Sequence, residues 1–225
     1  MTVTRPGEAL AQAYDGITAV VGGLDDTGLQ RATRCQGWLI ADLLLHVLGD
    51  AQRALVALAS PVDGPADADH VSYWRDFAGD DDKAAARHAW WVRRSAAAFD
   101  RPTGIVQLWR DTAPAAVRAA ASADPEGHVT TQGHVLRVPD LLATLTTEAV
   151  IHHLDLTPEL PGAPAPGPWR YASRWPPWTA CSATTRSAHG VGRPRLPAEG
   201  NRAPSSDGPG PTGVGRVGGL VPLLG

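Results

Sequence analysis

Lysine is almost absent: Lys83 stands alone against 19 arginines. With the abundance of alanine, this bias points to a G+C-rich gene. Cysteine is as scarce, and Cys35 and Cys181 are too few for the disulfide framework of a small secreted domain. Long apolar runs are missing as well. Stretches such as that around Leu43–Leu45 are far short of the roughly 18 residues that a membrane span needs. The first residues carry no apolar stretch of the signal-peptide kind, so the reading places the protein in a reducing cytoplasm, away from membranes. Nor is there an excess of basic charge. The formal net charge is −3 and the pI is near 6.2, which argues against a nucleic-acid partner. The chain has no G-x-S-x-G elbow, no Walker loop and no CxxC pair. Its one G-x-G-x-x-G string, Gly213–Gly218, follows no strand and has only seven residues after it.

What remains is a chain of 225 residues, 43% hydrophobic, that can bury a real core. It divides into two unlike parts near Thr157–Pro158. Residues 1–157 are rich in Ala and Leu and carry a net charge of −7; residues 158–225 carry +4 and hold 12 glycines and 13 prolines. The second composition is that of low-complexity sequence.

Helical periodicity runs through the first part. Glu8–Val21 spaces Leu10, Ala13, Ile17 and Val20 by three and four and stops at Gly22-Gly23. Leu39–Leu58 carries a stripe of Leu43, Val47, Ala51, Ala54 and Leu58, with His46 beside it. Asp82–Phe99 aligns His88, Trp91, Ser95 and Phe99. Gly104–Ser122 is a fourth helix, with Pro114 as a candidate break. Pro139–Leu156 is the last, with proline in its first turn, where the missing N–H costs nothing. Val129–Thr131 and Val135–Arg137 read as short extended pieces, too short to build a sheet. The expectation is an all-α, up-and-down helix bundle with one long connection.

The last helix puts Leu141, Leu145, Glu148, His152 and Asp155 on one face. That face begins apolar and turns ionisable where a bundle core belongs, and a buried carboxylate or imidazole needs a partner or a metal. Glu148 and His152 sit on adjacent turns, whereas His153 is rotated by about 100°. With His46 from the second helix they make a His/Glu/His set. Three protein ligands and one open position are the usual complement of a catalytic zinc site. Taken singly, each residue is as well explained by an ordinary hydrogen-bonded core. Asp155 suits the acceptor behind a ligand imidazole. Asp42 suits a helix start, Cys35 a small buried hydrophobe, and Trp38, Trp90, Trp91 and Trp109 core or rim aromatics. His70, His88, His128, His134 and His189 have no evident partner in the sequence.

Two stretches of local wording go further. Thr33-Arg34-Cys35-Gln36-Gly37-Trp38, followed by Asp42-Leu43 and His46, resembles the T-x-C-x-G-W-x-x-x-D-L-x-x-H motif of the mycothiol-dependent maleylpyruvate isomerase family, within the DinB-like superfamily. Glu148–Leu156 resembles that family's E-x-x-x-H-x-x-D-L motif. The resemblance covers roughly residues 5–157. It implies a DinB-like four-helix bundle in which His46, Glu148 and His152 bind a divalent metal, usually zinc. It also implies mycothiol, a low-molecular-weight thiol, as cosubstrate. The thiol would add to a small-molecule electrophile such as maleylpyruvate, permit rotation about the former double bond, and leave. Related proteins resemble thiol S-transferases, and a metal- and thiol-binding bundle without turnover, or an inactive truncated paralogue, stands as the alternative. The expected assembly is a monomer or weak dimer.

The tail, 158–225, reads as a frame-shifted remnant of the family's C-terminal segment. Starting each codon at its third base from Pro168 turns Trp169-Arg170 and Trp175-Pro176 into alanine and Trp178-Thr179 into aspartate, and the neighbouring choices permit an amphipathic helix. The alternative is a genuine irregular extension.

Overall fold

The computed structural model describes residues 5–75 and 82–166. The residues from 167 onward, which hold Cys181, His189, the Gly213–Gly218 string and most of the expected tail, lie outside the described residues.

Among the described residues, six α-helices follow from local signals. Helix α1 (Pro6–Val21) starts with proline in its first turn, where Glu8 Oε2 accepts from the Arg5 N–H (3.3 Å). A single turn, α2 (Asp26–Leu29), is capped by Asp25, whose Oδ1 accepts from the Gly28 N–H (2.7 Å). The periodicity reading passes over it because four residues show no period. Helix α3 (Ile40–Ala59) carries the apolar stripe, and Asp42 Oδ2 accepts from the Leu39 N–H at its start (2.9 Å). After a 3₁₀ turn at Ser72–Arg75 come α4 (Asp82–Ala97) and α5 (Thr103–Ser122). Helix α5 runs unbroken through Pro114. The lost backbone bond, a cost of about 3 kcal/mol, is offset by burial of Trp109, Ala113, Ala116 and Ala120 on one face. Helix α6 (Val138–Leu156) ends the series.

Packing joins α1 to α5 and α6, and α3 to α5 and α6, around one apolar core; α4 lies against α3. Tyr14 and Trp109 meet edge to face with ring centres 5.1 Å apart, and the Trp109 indole N–H donates to Thr18 Oγ1 (2.9 Å).

The expectation that no sheet forms is corrected. Strands β1 (Pro61–Val62), β2 (His128–Thr131) and β3 (His134–Arg137) make a small antiparallel sheet in that order. The signal was the turn rather than the strands. Gln132 and Gly133 both take positive φ (46° and 85°), the pattern of a two-residue hairpin turn whose twist matches the flanking strands. The fold is therefore mostly helical with a small sheet.

Candidate metal centre

The loop before α3 is folded by its own side chains. Thr33 Oγ1 donates to the Trp38 carbonyl (3.0 Å) and accepts from the Cys35 N–H (3.1 Å). Gly37 sits at φ 79°, a conformation that side chains disfavour. The turn so formed brings the Arg34 N–H onto the Asp155 carbonyl at the end of α6 (2.9 Å) and buries Cys35 and Trp38. Trp38 then meets the ring of His46 edge-on at 5.6 Å. The spacing of this stretch thus serves to lock the start of α3 against the end of α6.

Those two helix segments bring the three expected residues together. His46, Glu148 and His152 each offer a donor atom, and all three atoms lie within 4.8 Å of one another. The closest pair is His152 Nε2 and Glu148 Oε2 at 2.8 Å. Tetrahedral ligation at about 2.0–2.2 Å needs donors roughly 3.4 Å apart, so small rotamer changes close the set on one ion. The His46 and His152 rings cross edge to face at 4.9 Å. His152 is buried, while His46 and Glu148 are half-buried, which leaves one side of the set accessible.

Behind His152, Asp155 Oδ2 lies 3.3 Å from Nδ1, which leaves Nε2 on the Glu148 side. Asp155 is also 3.6 Å from Cys35 Sγ. Cys35, His152 and Asp155 also converge, but all three are buried and the Cys35 sulfur is not a free thiol, so this second set supplies neither a thiolate ligand nor an accessible fourth position. A site that must admit a substrate needs that position, so the first set is the candidate. His153 faces away. It is fully buried, its Nε2 bonds the Pro164 carbonyl (2.8 Å), and it packs against Gly16 of α1.

Sequence reasoning passed over two neighbours of the site. His88 of α4 places Nε2 at 3.2 Å from His46 Nδ1. Its ring stacks on Trp91 at 6.1 Å and tilts toward Trp38 at the same distance. The signal was the line of His88 and Trp91 on α4, which no motif distinguishes. The second neighbour is Asp50, one turn after His46. It is buried and paired through Oδ1 with Arg53 Nη2 (2.7 Å). Arg53 Nη1 in turn donates to Tyr73 Oη (2.9 Å) and Gln132 Oε1 (2.7 Å), which fastens the hairpin to α3. Among the other histidines, His70 pairs with Asp140 and His134 with Asp67.

The charges around the site act in opposite senses on its two histidines. Burial disfavours the charged form of His46 and lowers its pKa to about 4, the Asp50 carboxylate only partly opposing this. Burial also works against a charged His152, but hydrogen bonds to Asp155 and Glu148, and their negative charge, outweigh it and raise the pKa to about 10. Without metal, His152 is an imidazolium clasped between two carboxylates. Asp50 itself is held below the usual carboxylate range despite burial, by Arg53 first and then by His46.

Among the described residues no helix is long and apolar enough to cross a membrane. No curated protein and no solved structure matches the chain. A family model does: residues 10–157 match the mycothiol maleylpyruvate isomerase N-terminal domain. That span takes in the loop at Thr33–Trp38, all three donor residues and the two helices, α3 and α6, that carry them. The chain therefore belongs to the mycothiol maleylpyruvate isomerase family, through its N-terminal domain.

Proposed function

We propose that His46, Glu148 and His152 bind one divalent metal ion, zinc by the chemistry of the donor set, and that the site presents it to a mycothiol-type thiol. The observation that carries this reading is the convergence of two imidazoles and a carboxylate, two of them on half-buried residues, with an acceptor behind His152. Two neutral imidazoles and one carboxylate leave a divalent ion with one residual positive charge, which favours an anionic fourth ligand. When bound, such an ion keeps a coordinated thiol deprotonated near neutral pH. The protein's own part is to hold Nε2 of His152 in place through Asp155 and to compensate charge through Glu148. Buried Leu43, Val47 and Leu145 keep water from the inner side. In this reading α1, α3, α5 and α6 are the four helices of a DinB-like bundle.

The activity that follows is a thiol-dependent isomerase or S-transferase acting on a small electrophile. In the isomerase case the thiol sulfur adds to a conjugated double bond, rotation follows, and elimination returns the thiol, with no net oxidation. In the transferase case the sulfur displaces a leaving group and stays. We place the protein in the cytoplasm as a monomer or weak dimer.

The test is a metal stoichiometry on the purified protein with turnover on a panel of electrophiles, with and without thiol. One ion per chain and thiol-dependent turnover uphold the reading. One ion without turnover makes the protein a metal- and thiol-binding module. Absence of metal in a chain that folds normally leaves a purely structural ionisable core.

A further inference from the structure

The two histidines of the donor set have different partners at Nδ1. His152 has a buried carboxylate from its own helix, Asp155, at Nδ1. His46 has a second imidazole from another helix: His88 Nε2 stands 3.2 Å from His46 Nδ1. A neutral imidazole that gives the lone pair of Nε2 to a metal carries its proton on Nδ1. That N–H then needs an acceptor, or the ring is free to turn about its last torsion and offer either nitrogen. His88 Nε2 is at hydrogen-bond distance for the purpose.

The His88 ring is itself fixed. It stacks on Trp91, one turn further along α4, with planes 24° apart, and tilts toward Trp38 at 43°. Trp38 meets the edge of His46 as well, so one indole sets the position of both imidazoles. Helix α4 packs on α3, which carries His46.

We infer that His88 is the positioning residue for His46: it accepts from His46 Nδ1–H and so directs His46 Nε2 to the metal. Its other ring nitrogen then carries the His88 proton. The inference rests on the metal reading above and deepens it, because it assigns to α4 a role in setting the site that the three-donor set alone does not give it.

The experiment compares full-length wild type, His88→Phe, His88→Gln and His46→Ala. Phe keeps a flat ring between Trp38 and Trp91 but cannot accept, whereas the Gln side-chain oxygen can. Zn²⁺ affinity is read by competition with a chromophoric chelator, and the ligand field by the visible absorption of the Co²⁺ form. Far-UV circular dichroism checks folding. His88→Phe is expected to weaken zinc by about 10- to 100-fold and to change the Co²⁺ spectrum. His88→Gln is expected to stay within about threefold of wild type, with the wild-type spectrum. If Phe binds as wild type does, or if Gln is as weak as Phe, the inference is overturned. Should the Phe variant fail to fold, Gln decides alone: a tenfold loss overturns the inference, and near-wild-type affinity upholds it. Equal metal binding by wild type and His46→Ala would instead strike the metal reading itself, and is told apart by that control.

Discussion

Asp155 Oδ2 stands 3.3 Å from His152 Nδ1, on the side of the imidazole opposite Glu148. Both residues lie on α6, within one turn, and both are buried. The ring is thereby committed to one orientation before any ligand arrives. Asp155→Asn keeps the shape and removes the charge. It is expected to weaken metal binding by about 10- to 100-fold, read by chelator competition, with little loss of helicity. Wild-type affinity in that variant would show that Asp155 serves packing alone.

At the proposed site metal and proton would compete for His152. Its pKa of about 10 means that a metal would have to displace a proton at neutral pH, whereas His46, at about 4, is already neutral. Titration calorimetry in buffers of different ionisation enthalpy near pH 7.5 should report about one proton released per ion. The same two values set the acid–base stability of the metal-free protein. The raised pKa of His152 makes a contribution fully present below about 6.5 and lost as pH rises from there through about 10. The lowered pKa of His46 acts in reverse: its unfolded form binds the proton first, so stability falls as pH drops from about 6.5 toward 4. The two contributions together peak near 6.5. Denaturation midpoints of metal-free protein across pH 4–10 check the sign, and a His152→Gln variant should lose the alkaline slope.

The neighbouring histidines should separate cleanly. His152→Ala abolishes metal retention. His153→Ala leaves most of it and costs about 1–3 kcal/mol of stability, through its lost hydrogen bond to the Pro164 carbonyl. Gly16→Ala makes the same point from the other side, because an added Cβ would come 2.9 Å from His153 Nδ1. Equal metal loss in the two histidine variants would mean that α6 does not set His152 apart from His153 on the Glu148 face.

Arg53 supports the site from below. Its removal leaves Asp50 as a buried carboxylate without its cation and takes one donor from the hairpin residue Gln132, which keeps its bond from Tyr73. Arg53→Ala should therefore cost about 3–5 kcal/mol in chemical denaturation. Replacing Asp50 and Arg53 together by leucine and methionine should recover part of that loss. A single variant as stable as wild type would show that the pair is solvated in solution.

Described contacts continue beyond Thr157. Leu160 is buried, Arg31 Nη1 donates to the Glu159 carbonyl (3.2 Å), and His153 holds Pro164. A chain ending at Pro166 should bind metal and be more stable than one ending at Thr157, by roughly 2–4 kcal/mol from one buried leucine and two hydrogen bonds. Equal melting of the two would keep the boundary at Thr157. Resequencing the gene across codons 158–225 tests the frame-shift reading of the tail.

Much of this was legible in the sequence because it rests on period. The stripe of Leu43, Val47 and Ala51 on α3, and the run of Leu141, Leu145, Glu148, His152 and Asp155 on α6, carry their faces in their spacing. Helix ends came within two residues, since Gly22, Pro102 and Pro139 punctuate the chain. The hairpin escaped because four-residue strands show almost no alternation, and its information lies in the Gln132-Gly133 turn. Asp50, Arg53 and His88 escaped for another reason. Each is a polar residue on a helix face. Arg53 and His88 are distinguished by partners 20, 42 or 79 residues away, which no local pattern encodes, and Asp50 by its pairing with that same Arg53.

The tie between the Cys35 loop and Asp155 spans 120 residues of chain. Contacts so distant in sequence form late, after the entropy of closing the intervening loop has been met. During synthesis the loop and His46 emerge long before Glu148 and His152, so no complete donor set exists until α6 is available to dock. An ion held at the proposed site could not nucleate this domain as it does a zinc finger, whose ligands lie within a few dozen residues. It would arrive as the last fastening, acting on unfolding more than on folding, and chelation should accordingly speed loss of the native state while leaving the rate of its formation almost untouched.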